Sequence, residues 1–168
     1  MKKAFLTLAL LLTTMAASAQ WYAGGGIGFS RTESNGIAAT EFIFTPEVGY
    51  NINNSWAVGA ILEVDWTKDV ETAFAITPYA RYTFFRAGNF SFFTDGEVEI
   101  GALKPEGMDS EILLGIGIKP GIGYHFTDKI SAEAHIGWIG HRSYGDYGEA
   151  TAISFDSRDV TFSVYYHF

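Results

Sequence analysis

The chain has 168 residues, 11 basic and 19 acidic, with a formal net charge of −8, 18 % charged residues and 16 % aromatics. This acidic balance excludes nucleic-acid binding, which relies on clustered Lys and Arg, and the absence of cysteine excludes a disulfide framework or a thiolate metal site. The length fits one domain, and so low a charge is unusual for a surface that meets only water.

The first element is an export signal. Lys2 and Lys3 follow Met1, an apolar run extends from Ala4 to Ala17, and Ala17-Ser18-Ala19 places small residues where a signal peptidase inspects them. The apolar run is shorter than the roughly 20 residues that a membrane-crossing helix requires. Cleavage after Ala19 is expected, making residues 1–19 a signal peptide and 20–168 a single β domain. Loss of Lys2 and Lys3 takes the basic count from 11 to nine against 19 acids, a net charge of about −10.

From Gln20 onward the chain alternates with the period of two that marks β-strands. In the first stretch Trp21, Ala23, Ile27 and Phe29 oppose Gly24, Gly26 and Gly28. In the second, Phe42, Phe44, Val48 and Tyr50 oppose Thr45, Glu47 and Gly49. The third sets Trp56, Val58, Leu62, Val64 and Trp66 against Ala57, Gly59, Glu63 and Asp65. The fourth sets Phe74, Ile76, Tyr82 and Phe84 against Thr77, Tyr79, Arg81 and Thr83. In the fifth, Phe90, Phe92, Val98 and Ile100 oppose Ser91, Asp95, Glu97 and Glu99. In the sixth, Ile112, Leu114, Ile116, Ile118, Ile122 and Tyr124 oppose Gly115, Gly117, Lys119, Gly121, Gly123 and His125. The seventh sets Ile130, Ala132, Ala134, Ile136 and Trp138 against Ser131, Glu133, His135, Gly137 and His141. The last sets Val160, Phe162, Val164, Tyr166 and Phe168 against Thr161, Ser163, Tyr165 and His167. Eight stretches, each roughly the 9–11 residues of a tilted membrane strand, and no helical pattern define the candidate architecture.

In a soluble barrel the bulky apolar face would line the cavity and the other face would meet water. Here that other face is largely Gly, Ala, Ser and Thr with few charges, which suits a filled eight-stranded interior. The bulky face suits lipid. The expectation is therefore an all-β, eight-stranded antiparallel up-and-down transmembrane β-barrel, closed because lipid leaves no partner for an open edge. Even-numbered residues face lipid in the second to eighth strands and odd-numbered ones in the first. Short connections at 51–54, 86–89 and 127–129 alternate with longer or more polar ones at 31–40, 67–71, 104–110 and 142–159, as periplasmic turns alternate with external loops. Aromatic residues form two bands. Trp21, Tyr50, Trp56, Phe84, Phe90, Tyr124, Phe126 and Phe168 mark the periplasmic end, and Phe29, Phe42, Trp66, Phe74 and Trp138 the external end. Pro46, Pro78 and Pro120 fall within strands, where bulges are one means of accommodating them.

The stretches Phe44-Thr45-Pro46-Glu47-Val48-Gly49-Tyr50, Thr77-Pro78-Tyr79-Ala80-Arg81-Tyr82 and Ile118-Lys119-Pro120-Gly121-Ile122-Gly123-Tyr124 resemble the outer-membrane β-barrel-domain proteins common in Bacteroidetes. More broadly the chain is similar to the small OmpA- and OmpX-like barrels. The resemblance implies residence in the outer membrane among lipid and lipopolysaccharide. It also implies recognition by the barrel assembly machinery through the strand ending at Phe168. It implies a barrel and no particular activity.

The expected lumen holds Glu47, Glu63, Asp65, Asp95, Glu97, Glu99 and Glu133 with Arg81, Lys119, His135 and His141. Two readings exist, an ion pathway and a hydrogen-bonded plug. The plug is favoured because an eight-stranded barrel is too narrow for an open channel and buried charges must be paired. Arg81 and Lys119 would be its central cations. One catalytic constellation stands out, His141-Arg142-Ser143 with Glu149 and Asp156 downstream, the residue types of an activated hydroxyl nucleophile. It resembles in part the His-x-Ser element of the lipid A deacylases. It departs in the spacing of the acid and in Tyr144, and alternation would turn His141 into the lumen. No catalytic, cofactor or metal residue is therefore expected. His125, His135, His141 and His167 are dispersed, the loop around Asp146 is too poor in acids for calcium, and Gly24-Gly25-Gly26 precedes no helix and so makes no phosphate cradle. The expected role is non-enzymatic, giving envelope structure or presenting surface loops, with 142–159 as the contact for an extracellular ligand. A lipid-modifying enzyme using His141 and Ser143, or a minor pore, is the alternative.

Overall fold

The computed structural model describes residues 20–34, 37–67, 71–105, 107, 109–154 and 160–168; the expected signal segment lies outside them. Ten strand segments form one sheet: β1 (Trp21–Ser34), β2 (Ile37–Asn51), β3 (Trp56–Thr67), β4 (Glu71–Ala87), β5 (Phe90–Pro105), β6 (Glu111–His125), β7 (Ile130–Ile136), β8 (Trp138–Ser143), β9 (Glu149–Ser154) and β10 (Val160–His167). They make eight staves, because β7 and β8 are the two halves of the seventh, and β9 and β10 the two halves of the eighth. Every pairing is antiparallel, and β5 also pairs with β6, so the sheet closes on itself. The join of first and last staves runs over Tyr22–Gly25 against Val164–His167.

The alternation read from the sequence is the alternation of the wall. Phe44, Leu62, Phe74, Ile76, Val98, Ile100, Ile116 and Val164 are exposed on the outside, while Glu47, Thr77, Tyr79, Arg81, Asp95, Glu97, Glu99, Glu133 and Tyr165 are buried inside. The first stave runs in the opposite phase, with Ile27 outside and Tyr22 inside. Inward glycines leave room for inward aromatics directly across the ladder. Tyr22 faces Gly49, Tyr79 faces Gly59 and Phe93 faces Gly121, and a Cβ on any of these glycines would overlap the opposing ring.

Gln20 and Phe168 lie at one rim with the tight turns. There Asn53 accepts hydrogen bonds from the Ser55 and Trp56 amides at 2.8 and 2.9 Å, and Thr127 Oγ1 caps Lys129 and Ile130. Aromatic pairs line the outside of this rim: Trp21 with Tyr50, Trp56 with Tyr82, Phe90 with Tyr124, and Tyr166 with Phe168, at centroid separations of 4.8–5.2 Å. This is the periplasmic girdle expected of an outer-membrane barrel.

The opposite rim departs from expectation in two places. Residues 31–34 and 37–40, expected within a loop, are strand, since Arg31 pairs with Thr40 and Ser34 with Ile37. Backbone pairing needs no apolar face, so this polar hairpin overhangs the Phe42–Trp66 level. Nor is 142–159 one long loop. The chain turns back over Tyr144–Gly148, where Gly145 (φ 60°) and Gly148 (φ 112°) take left-handed conformations, and β9 pairs with β8 from Glu149 to Ser154. The Gly/Tyr/Asp composition that reads as a loop is the turn alone; residues 155–159 lie outside the described residues.

The strand prolines are accommodated without bulges in two cases. The β2–β3 ladder omits the rungs at Thr45 and Pro46, and the β4–β5 ladder omits those at Thr77 and Pro78, each resuming in the same register. The one recorded slip in β4–β5 lies instead between Thr83 and Phe85, and it leaves both Phe84 and Phe85 outside. At Pro120 the register does change. β6 pairs Gly121 with His135 below it but Ile118 with Ile139 above it, and Gly137 opposite has φ 78°.

Candidate functional site

That step reverses the alternation of the seventh stave, and two expectations fall with it. Trp138 is not an external belt residue but is buried in the lumen. His141 is not luminal; it pairs with the outward Ile116 and Thr151. Its neighbour Arg142, read from the sequence as the start of an external loop, takes the inward place. An isolated glycine within a strand pattern is a recognised mark of a bulge or break, and Gly137 was the available signal.

Two ion networks fill the lumen. The lower is centred on Arg81 of β4. Its Nε and Nη2 donate to Asp95 Oδ1 and Oδ2 at 2.7 and 2.8 Å, and Nη1 donates to Glu133 Oε2 at 2.6 Å. Glu47 Oε1 lies 3.9 Å from Nη2, and the guanidinium sits 4.0 Å from the Phe93 ring centroid. The bidentate pairing fits the planar fork of arginine to one carboxylate. His135 Nε2 is 2.9 Å from Asp95 Oδ2. Tyr165 donates to Glu47 Oε2 at 2.6 Å, Tyr79 donates to Oε1, and the Tyr22 and Tyr79 hydroxyls are 2.6 Å apart. Two staves thus supply tyrosines to one buried carboxylate, and Tyr22 from a third extends the hydroxyl chain. Alternation places Tyr79 and Tyr165 on the inner face, but no spacing in the sequence shows that they converge on Glu47.

The upper network joins Lys119 Nζ to Glu97 Oε1 at 3.2 Å, with Trp138 Nε1 donating to the same oxygen at 3.1 Å. Arg142 Nε donates to Glu99 Oε2 at 2.7 Å and stacks 4.6 Å from the Trp138 ring centroid. Arg81 is therefore the central cation expected, while Lys119 shares the upper position with Arg142. A polar vestibule of about 460 Å³ opens at the periplasmic rim between Gln20, Asn53, Arg86 and His167, and reaches in to Arg81, Phe93 and Glu133.

The candidate catalytic residues lie elsewhere, on the outer wall at the external end. His141 Nδ1 is 2.8 Å from Thr151 Oγ1, and Nε2 is 4.0 Å from Glu149 Oε2. Ser143 pairs with Glu149 across the β8–β9 ladder, but among the described residues no hydrogen bond joins it to His141. Asp156 lies outside the described residues. The set is thus brought to one face without being assembled into a relay. Among the described residues no group of three or more His, Asp or Glu is arranged to hold a metal ion.

Comparison with known proteins agrees with this architecture. The crystal structure of Neisserial surface protein A superposes with a TM-score of 0.60 at 15 % identity, covering 90 % of this chain and 98 % of that one. A bacterial polysaccharide outer membrane secretin gives a TM-score of 0.49 at 15 % identity over 90 % of this chain and 52 % of its own. No curated protein sequence matches. The profile of the outer membrane protein beta-barrel domain matches residues 4–168. A closed wall of eight staves, apolar outside and ion-paired within, whose sequence matches that profile almost from end to end, belongs to the outer membrane protein beta-barrel domain family.

Proposed function

We propose that this protein is a non-enzymatic, non-conducting barrel that contributes to envelope structure and presents its external hairpins for surface interaction. The observation that supports this reading best is the Arg81 network, in which one guanidinium ties together carboxylates from β5 and β7 across the lumen. Its ends are satisfied by hydrogen bonds, as a structural plug requires, and an ion crossing the lumen would have to break it. The contact surface is the external rim, chiefly the β1–β2 overhang and the 142–159 segment. In this reading the chain is exported with cleavage after Ala19 and handed to the barrel assembly machinery through the strand ending at Phe168. Protein extracted from outer membranes should have an intact mass beginning at Gln20, and in planar bilayers it should give no steady conductance. A stable open channel would overturn the plug and favour the pore.

A second reading, a lipid-modifying enzyme, gains from one observation: His141 and Ser143 face outward, where a lipid would lie. It predicts release of fatty acid from lipid A by the purified protein and loss of that release in Ser143→Ala. The non-enzymatic reading predicts no release by either.

A further inference from the structure

The outer wall of a closed barrel is convex, yet one part of this wall is concave. A groove of about 660 Å³ runs across the outward faces of β5, β6, β8 and β9, within the range of about 300–1,000 Å³ typical of small-molecule sites. Its walls are Val98, Ile116, Ile118, Ile139 and Ile153, and at one end sit His141 and Thr151. The concavity follows from the ladder. Among the described residues β9 pairs only with β8, so the β8–β9 hairpin is held to the wall through β6 alone. The register change at Pro120 and Gly137 lies at its base.

The polar end is an independent anomaly. A polar or ionisable side chain turned toward lipid is costly, and here His141, Thr151 and Glu149 are gathered on the lipid-facing side at the mouth of an apolar trough. The hairpin turn reaches Glu111, whose Oε2 lies 3.5 Å from the Asp146 amide, at the external start of β6. The groove therefore lies in the half of the wall away from the turns and chain ends of the periplasmic rim. It is continuous with the lipid-facing surface, and the leaflet that it meets is the lipopolysaccharide leaflet.

We propose that this groove is a specific site for one acyl chain of lipopolysaccharide, with the chain along Val98, Ile116, Ile118 and Ile153 and its ester or hydroxyl oxygen accepting a hydrogen bond from His141. Thr151 orients the imidazole through Nδ1, and Nε2, which lies 4.0 Å from Glu149 Oε2, is the nitrogen that turns to the lipid. The assignment rests on the membrane placement of the wall and not on any hydrolysis at Ser143.

The test is native mass spectrometry of the full mature protein, folded in detergent and titrated with hexa-acyl lipid A. The wild type should retain one intact lipid A. The double variant Ile116→Trp/Ile153→Trp, which fills the groove with side chains that lipid tolerates, should lose that retention at least tenfold. Ile76→Trp on the β4 wall should keep it. His141→Ala should weaken it about fivefold to tenfold, as expected for one hydrogen bond. Heat-modifiability on gels verifies folding, and if the double variant does not fold, Ile118→Trp carries the same readout. Equal retention by the groove-filled variants would overturn the site, and equal retention of a phospholipid or a free fatty acid would overturn its occupant. An unchanged lipid mass separates binding from the enzymatic reading.

Discussion

Arg81→Met is expected to reduce the unfolding free energy of the vesicle-inserted barrel by about 3–5 kcal/mol, the usual cost of removing one partner from a buried ion pair. The side chain is only 7 % exposed, and it offsets Asp95 and Glu133, whose side chains are 3 % and 10 % exposed. Methionine fills much of the volume, so the loss reports charge rather than cavity. Arg81→Lys keeps the charge but cannot make the two-pronged contact with Asp95, and should fall between the variant and wild type. Neutralising the orphaned acids should restore most of the loss, because a fully apolar or neutral replacement of a buried pair is often tolerated. Arg81→Met/Asp95→Asn/Glu133→Gln is therefore expected to refold with a urea midpoint close to wild type. A loss below about 1 kcal/mol in the single variant, on the scale of an exposed ion pair, would mean that the lumen is wetter than the network implies.

Gly49→Val should lower stability by about 2–3 kcal/mol through overpacking. The new methyls would occupy the space of the Tyr22 ring directly across the β1–β2 ladder. Moving that ring also breaks the hydroxyl chain from Tyr22 through Tyr79 to Glu47, so the loss has a polar part as well as a steric one. Tyr22→Leu combined with Gly49→Val relieves the overlap, and the pair should be less destabilised than the sum of the two single variants. Additive losses in the double-mutant cycle would show that the ring and the glycine are not coupled.

Most of the wall was legible in the sequence because lipid imposes a period-two rule on every stave, and that rule places Phe44, Ile76, Ile100 or Val164 without ambiguity. The rule fails where backbone geometry changes phase. At Gly137 a left-handed residue opposite Pro120 flips the stave, so Trp138 and His141 exchange the sides that alternation assigns them. The lumen was legible as a list of charges but not as a network. Arg81 stands out as a rare inward cation on a narrow barrel, whereas its pairing with Glu133 spans staves far apart in sequence. Alternation turns Tyr79 and Tyr165 inward, but their convergence on Glu47 joins staves far apart in sequence. Composition also misled at 142–159, since a turn rich in glycine resembles a long loop until the register of Thr151 and Ile153 with β8 is known.

The join between first and last staves has a mechanical meaning. A ring closes at one place, and here the described closure is four rungs long, from Tyr22 to Gly25, at the rim where the aromatic pairs gather. The neighbouring β1–β2 ladder runs without interruption from Trp21 to Ser34. Among the described residues, strain that prises the first and last staves apart therefore falls on the few amides beside Gly24 and Tyr165, as on a clasp fastened at one edge.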